Sequence, residues 1–250
     1  MSDIRTNTAK TKLASGLPVA ALGGADDPAL IDMLGPTGID AMWLEAEHGP
    51  VDFAKIGDLT RVCDLWDVAS IVRVHQNEPG RIYRTLDCGA LGIVVPHVDN
   101  RAEAEQVVDA AKFAPIGHRG IFTSRQGYGV ENYYHRANDQ TMIVVLIEDI
   151  KAVKNLDEIL KVDHIDVFHV ASSDLAQSMG HLGNPRHPDV VEVVDDAIAK
   201  IVDAGRTAGT TVIGQSPEKF LDAGVRFFYT NVRGWLTEAA RKYVGEVKAT

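Results

Sequence analysis

Short apolar runs rich in Val and Ile recur along the chain, separated by longer stretches whose apolar residues return every three or four positions. A continuous apolar run fits a strand covered on both faces, and the longer period fits an amphipathic helix laid against it. The runs predict strands at Val19–Gly23, Ala41–Leu44, Ser70–Val74, Gly92–Val95, Met142–Ile147, Asp166–Val170, Thr211–Ile213 and Arg226–Tyr229. That is about eight, the number that closes a (β/α)8 barrel. A ninth segment, Gly117–Phe122, precedes a polar stretch and leaves the fifth strand the least defined.

The helices between these runs carry their own punctuation. Pro28 opens Pro28–Leu34 and Gly35 stops it, Asn100 caps Arg101–Phe113, and Ser216-Pro217-Glu218 starts a helix that ends before Gly224. Strand follows helix at intervals of roughly 25 to 30 residues, and no Pro/Gly/Ser linker or charge run divides the chain. The expectation is an α/β protein, a single-domain TIM barrel over residues 1–250. The exception is Ser124–Gln140, too polar and Gly-containing for a core element, which reads as a loop or mobile lid at one mouth. Its Arg125, Tyr128, Tyr133, Tyr134 and His135 are then candidate specificity residues.

Composition narrows the classes. Hydrophobic residues at 45% and charged residues at 24% give an ordinary globular balance and exclude a wholly disordered or fibrous chain. The net charge of -10 opposes the phosphate contacts that drive general nucleic-acid or anionic-membrane binding. The polar N-terminus has no apolar core, and no later stretch approaches the ~18 apolar residues of a membrane span, so a cytoplasmic protein is expected. The two cysteines, Cys63 and Cys88, fall in predicted helices without a CxxC partner, which supports neither a disulfide framework nor a zinc-thiolate site.

In such barrels the reactive side chains sit where the strands run out at their C-terminal ends. Those ends hold Glu45, Glu47 and His48; Arg73 and His75, read as part of the third strand; Pro96-His97; Glu148-Asp149; and Ser172-Ser173-Asp174. Charge at the end of a Val/Ile run is costly to bury unless it is paired or binds a metal. Glu148 and Asp174 come from adjacent strands, and two oxygen ligands with room for water and substrate suit Mg²⁺ or Mn²⁺; each carboxylate could equally cap the helix that follows. Arg73 calls for a carboxylate partner or an anionic ligand, and His48 between Glu45 and Glu47 for a general base or a structural role. No strand end carries the lysine a Schiff-base aldolase needs, and GxSxG, GxxxxGK[ST], HExxH and GxGxxG are all missing.

With these residues placed, the chain resembles the HpcH/HpaI family of metal-dependent (class II) pyruvate aldolases. The resemblance is carried by EAEHGP at Glu45–Pro50, VRVHQNEPGRIYRTLDCGALGIVVPHVDN at Val72–Asn100 and FAPIGHRG at Phe113–Gly120. It continues with LIEDIKAVKNLDEILKVDHID at Leu146–Asp166 and SSDLAQSMG at Ser172–Gly180. Each segment alone is weak; the ordered set is specific. The resemblance implies a lyase that reversibly cleaves 4-hydroxy-2-oxo acids to pyruvate, or a close analogue, and an aldehyde. It implies Glu148 and Asp174 as ligands of a divalent cation, Mg²⁺, Mn²⁺ or Co²⁺, and His48 as the proton-transfer histidine. Arg73 would hold the pyruvate oxygen, Asp87 would support the histidine, often across a subunit boundary, and Ser172-Ser173 would receive the substrate carboxylate. It also implies a homohexamer with C-terminal helices exchanged, to which the sequence itself contributes only Trp235 and the apolar spacing of the final helix.

The chain departs from the family's pattern at three places. Ala171-Ser172-Ser173-Asp174 replaces a Gly-Pro-Ala-Asp turn, Leu146 replaces a glutamine beside the metal, and Glu45 replaces an aspartate. Two other readings remain: a CoA-ester lyase of the citramalyl-CoA type, for which no basic cluster stands out, and a barrel that binds without catalysis.

Overall fold

The computed structural model describes residues 3–212 and 216–249. Helix α1 (Thr8–Ala14) precedes β1 (Val19–Gly23), and the chain then alternates α2 (Pro28–Leu34), β2 (Ala41–Glu45), α3 (Phe53–Leu65), β3 (Ala69–Arg73), α4 (Pro79–Asp87), β4 (Gly92–Val95) and α5 (Arg101–Ala111). After α6 (Tyr133–Gln140) come β5 (Met142–Ile147), α7 (Ile150–Lys154), α8 (Leu156–Ile159), β6 (Val167–Val170), α9 (Ser172–Ser178) and α10 (Pro188–Asp203). Then follow β7 (Ala208–Thr211), α11 (Glu218–Asp222), β8 (Phe227–Asn231) and α12 (Val232–Lys248). All neighbouring strands are parallel, and β8 pairs with β1, so eight strands close a barrel.

Alternation along each strand divides the core in two. Leu146 packs inside the barrel with Trp43, Ile71, Val94, Val144 and Phe227, while Val145 and Ile147 face the outer layer of helices. The N-terminal mouth is plugged. Ala9 and Leu13 of α1 pack into the interior cluster. The buried Asn7 side chain caps α1 through Lys10 N–H and donates to the carbonyls of Leu91 and Gln140, just before β4 and β5. Among the described residues, the C-terminal mouth is the one left without such a plug.

Three expectations are corrected. The seventh strand is Ala208–Thr211, earlier than Thr211–Ile213; Ile213 itself lies outside the described residues. Gly117–Phe122 forms no strand: it is part of an excursion after α5 in which His118 and Arg119 donate backbone N–H groups to Asp109 and Lys112. The third strand ends at Arg73, so His75 lies beyond it.

The polar segment 124–140 contains a short 3-10 turn, Arg125–Gly127, and then α6. Its buried polar groups are paired. Asn138 exchanges hydrogen bonds with the backbone of Phe113, the Ser124 and Tyr133 hydroxyls bond each other, and the buried Lys112 donates to the carbonyls of Asn138 and Thr141. Arg125 pairs with Asp64 and Gln126 donates to the Gly89 carbonyl, both at chain positions leading into strands. Within one chain, the segment therefore packs at the N-terminal mouth, with Tyr128 and His135 exposed there. Among the described residues, no helix is long and apolar enough to cross a membrane.

Candidate active site

Register places the first pair of groups. Glu45 and Arg73 are Cα partners at the C-terminal ends of β2 and β3, so their side chains emerge side by side. Arg73 Nε donates to Glu45 Oε2 at 2.8 Å. Glu45 Oε1 accepts the backbone N–H groups of Glu47, at 2.8 Å, and His48, at 3.1 Å, and thereby shapes the turn that follows the strand. The turn is tight enough to demand glycine: a Cβ on Gly49 would lie 2.6 Å from the Glu45 carbonyl oxygen. Glu45 thus holds both the arginine and the loop carrying its neighbours.

That loop brings Glu47 to the arginine, its Oε2 lying 3.1 Å from Arg73 Nη1. The same oxygen is buried and makes no hydrogen bond of good geometry. His48 stands at the rim, its side chain 69% exposed and its Nε2 3.8 Å from Glu47 Oε2. From β4, His97 adopts a left-handed backbone (φ 53°) and donates its N–H to Glu148 Oε1 at 2.8 Å. The His97 ring bridges the two acids, Nδ1 at 3.3 Å from Glu148 and Nε2 at 3.6 Å from Glu47.

Glu148 is 3% exposed, and Asp149, not Glu148, caps α7 by accepting the N–H of Lys151. Burial raises the Glu148 pKa, the N–H and ring of His97 oppose the rise, and Asp174 and Glu47 add to it. Asp174 arrives in the first turn of α9. For Arg73, burial works against the charge, but Glu45, Glu47 and Glu148 outweigh it and raise the pKa. A cavity of about 180 Å³ opens beside these groups, with Arg73, Leu146, Ser172, Ser173 and Asp174 in its wall.

Four carboxylates, Glu45, Glu47, Glu148 and Asp174, thus share this mouth with one guanidinium. Glu45 and Glu47 are engaged with Arg73, which among the described residues leaves the buried Glu148 and the half-buried Asp174 with no lysine or arginine partner. All-oxygen donors with excess negative charge fit a hard divalent ion. The sulfur-free donor set disfavours the softer metals.

The remaining sequence-predicted residues fall elsewhere. Asp87 ends α4 at the opposite end of the barrel, 2.6 Å from Arg119, so one chain does not bring it to His48. His75 lines a separate cavity of about 320 Å³ on the outer side of Glu47. Unanticipated are the bridging role of His97 and an aromatic floor of Trp43, His169 and Tyr229 beneath Arg73. A histidine within the apolar Val-Phe-His-Val strand was the only signal for that floor. Another cluster, His181, His187 and Asp189, gathers ligand atoms near α10. Its imidazoles stack 3.7 Å apart and nearly parallel, so one ion cannot lie in both ring planes.

A family model described as HpcH/HpaI aldolase/citrate lyase matches residues 23–232, which span every strand end just described. The chain belongs to that family. Among relatives, it is 34% identical to a hydroxypyruvate/pyruvate aldolase of Roseovarius nubinhibens, over 91% of each chain. It is 32% identical to a 4-hydroxy-2-oxo-heptane-1,7-dioate aldolase of Klebsiella pneumoniae, over 90% of this chain and 88% of that one. A crystal structure of an HpcH/HpaI aldolase/citrate lyase family protein from Burkholderia cenocepacia superposes with a TM-score of 0.91 at 27% identity, covering 97% of this chain and all of that one, 100%. The chain is accordingly a lyase of the aldolase type. HpcH/HpaI aldolases generally depend on a divalent metal, and the acidic mouth suits that dependence.

Proposed function

We propose that this barrel reversibly cleaves 4-hydroxy-2-oxo acids to pyruvate, or a close analogue, and an aldehyde. The observation that carries the reading is Glu148, buried against two further acids at the C-terminal mouth and beside a charged Arg73. In this reading Glu148 and Asp174 hold Mg²⁺, Mn²⁺ or Co²⁺, which supplies a Lewis acid for the 2-oxo acid. Ser172 and Ser173, in the cavity wall, receive the substrate carboxylate.

The chain's own groups then divide the work. His48 takes the proton from the 4-hydroxyl, with Glu47 orienting its ring. As the C3–C4 bond breaks, its electron pair delocalises from C3 toward the 2-oxo oxygen, and Arg73 stabilises the negative charge there. Protonation at C3 completes pyruvate, while the departing carbon leaves as the aldehyde. Glu45 acts by keeping the Arg73 fork in place.

The same reading has the protein work in the cytoplasm as a homohexamer, with Asp87 reaching a neighbouring subunit's site. In support, α12 buries only Val232 and exposes Trp235, Leu236, Tyr243 and Val247.

Glu148→Gln tests the site directly. The change keeps size and the hydrogen bond from His97 but removes the charge, so metal-dependent pyruvate release is expected to fall about 10³-fold with the fold unchanged by circular dichroism. Turnover within a few fold of the parent would overturn the assignment.

A further inference from the structure

The cleavage proposed above leaves one proton without a source. When the C3–C4 bond breaks, His48 is occupied by the proton of the 4-hydroxyl, and a second proton must reach C3 to make the methyl group of pyruvate. Along β8, Phe227 and Tyr229 pack on the interior of the barrel while Phe228 packs on the outer core. Tyr229 is in register with Ala21 of β1 and Thr211 of β7, and it lines the cavity whose wall also holds Arg73 and Asp174.

The Tyr229 ring packs on Trp43 with centroids 4.3 Å apart, and it is half-buried where Trp43 is buried. Its hydroxyl reaches the end of β1. A Cβ on Gly23 would lie 2.5 Å from that oxygen, so a bare backbone there is what admits the phenol. Asn231 Nδ2 donates to the oxygen across 3.4 Å, a long bond that uses the phenol as acceptor. Among the described residues, the hydroxyl's own proton is left without an acceptor.

The other groups of the wall are already engaged. The Thr211 hydroxyl lies 3.0 Å from His169 Nε2, and Trp43 Nε1 donates to Glu45 at 3.4 Å. His169 is 1% exposed, and burial lowers its pKa to about 3, so it is neutral and closed off. Burial raises the Tyr229 pKa above its ordinary value and the bond from Asn231 opposes the rise, so the group stands as a neutral phenol with its proton in place. With the substrate carboxylate at Ser172-Ser173 and the 2-oxo oxygen toward Arg73, C3 is the substituent of C2 left to face Trp43 and Tyr229.

We propose that Tyr229 is a catalytic residue that delivers the proton to C3. This rests on the aldolase reading and assigns the step which that reading leaves open. As the 2-oxo group re-forms, the electron pair between C2 and C3 takes the phenolic proton to make the new C3–H bond, and the Tyr229 O–H bond breaks to leave a phenolate. Solvent returns a proton to the phenolate while His48 gives its own to solvent, so the cycle closes without a co-reactant. Run in reverse, the same path exchanges the C3 protons of pyruvate with solvent even when no aldehyde is present.

The test is deuterium uptake at C3 of pyruvate in D₂O, read by mass spectrometry on the full-length protein. It is loaded with whichever of Mg²⁺, Mn²⁺ and Co²⁺ supports pyruvate release from 4-hydroxy-2-oxo acids. Tyr229→Phe keeps the ring on Trp43 and removes only the hydroxyl, so exchange is expected to slow about 10²-fold while the KM for pyruvate stays within twofold. Gly23→Ala places a Cβ against the phenol oxygen and is expected to slow exchange at least tenfold with Tyr229 still present. Exchange at the parent's rate in either folded variant would overturn the proposal, as would a loss in Tyr229→Phe matched by an equal rise in KM, which marks a structural role. A parent that releases pyruvate but exchanges no C3 proton would overturn it and leave the aldolase reading intact; a parent that does neither with any of the three ions would overturn that reading itself.

Discussion

Burial works against the charge on Arg73, yet Glu45, Glu47 and Glu148 outweigh it and raise its pKa, and Glu45 and Glu47 fix the direction of its fork. A lysine would carry the charge but could not reach both acids from a planar fork. Arg73→Lys is therefore expected to lower kcat/KM for pyruvate release about 10²-fold in steady-state assays. A change under threefold would show that charge alone suffices. Residue by residue, much of this site was legible in the sequence, because Glu45, Arg73, Glu148 and Asp174 are charges placed where Val/Ile runs end. Asp87 was not, since a helix end says nothing about which barrel mouth it faces, and in one chain it pairs with Arg119. His169 escaped for the opposite reason: a strand interior was read as packing, and its polar partner, Thr211, comes from another strand.

Among the elements, the strands with dense Val and Ile content were found within a residue or so of their observed ends. The seventh, Ala-Gly-Thr-Thr, was misplaced because small and hydroxyl-bearing residues carry little strand signal, while Thr211-Val212-Ile213 beside it carries more. Segment 124–140 looked too polar for a core element, but its buried Ser124, Tyr133 and Asn138 are paired with each other or with the chain around Lys112, while Glu131, Asn132, His135 and Asp139 face outward. Burial, and next to it the nearby Lys10 charge, lowers the Lys112 pKa from 10.5 to about 7. Between those values the unfolded chain holds a proton that the folded chain has released, so folding is favoured progressively as pH rises from about 7 toward 10.5 and is penalised in full below 7. Urea unfolding of the parent and Lys112→Met at several pH values should thus diverge in the parent's favour with rising pH, by at most ~1.4 kcal/mol per unit. Parallel curves would show that the lysine stays charged in the folded protein.

At the scale of the whole molecule, the closed barrel assigns different work to its two ends. α1 and the segment after α5 seal the N-terminal mouth with buried amides and Lys112, which leaves the C-terminal mouth to gather Glu47, Arg73, Glu148 and Asp174. The concentration of negative charge there is costly in the bare protein and sensible around a cation. That is the central claim, and metal removal tests it most directly. Pyruvate release from a panel of 4-hydroxy-2-oxo acids would be measured on chelator-stripped protein, with and without added Mg²⁺, Mn²⁺ or Co²⁺. The account predicts release that is nearly abolished by stripping and restored by at least one of these ions; release that is undiminished in the stripped protein would contradict it.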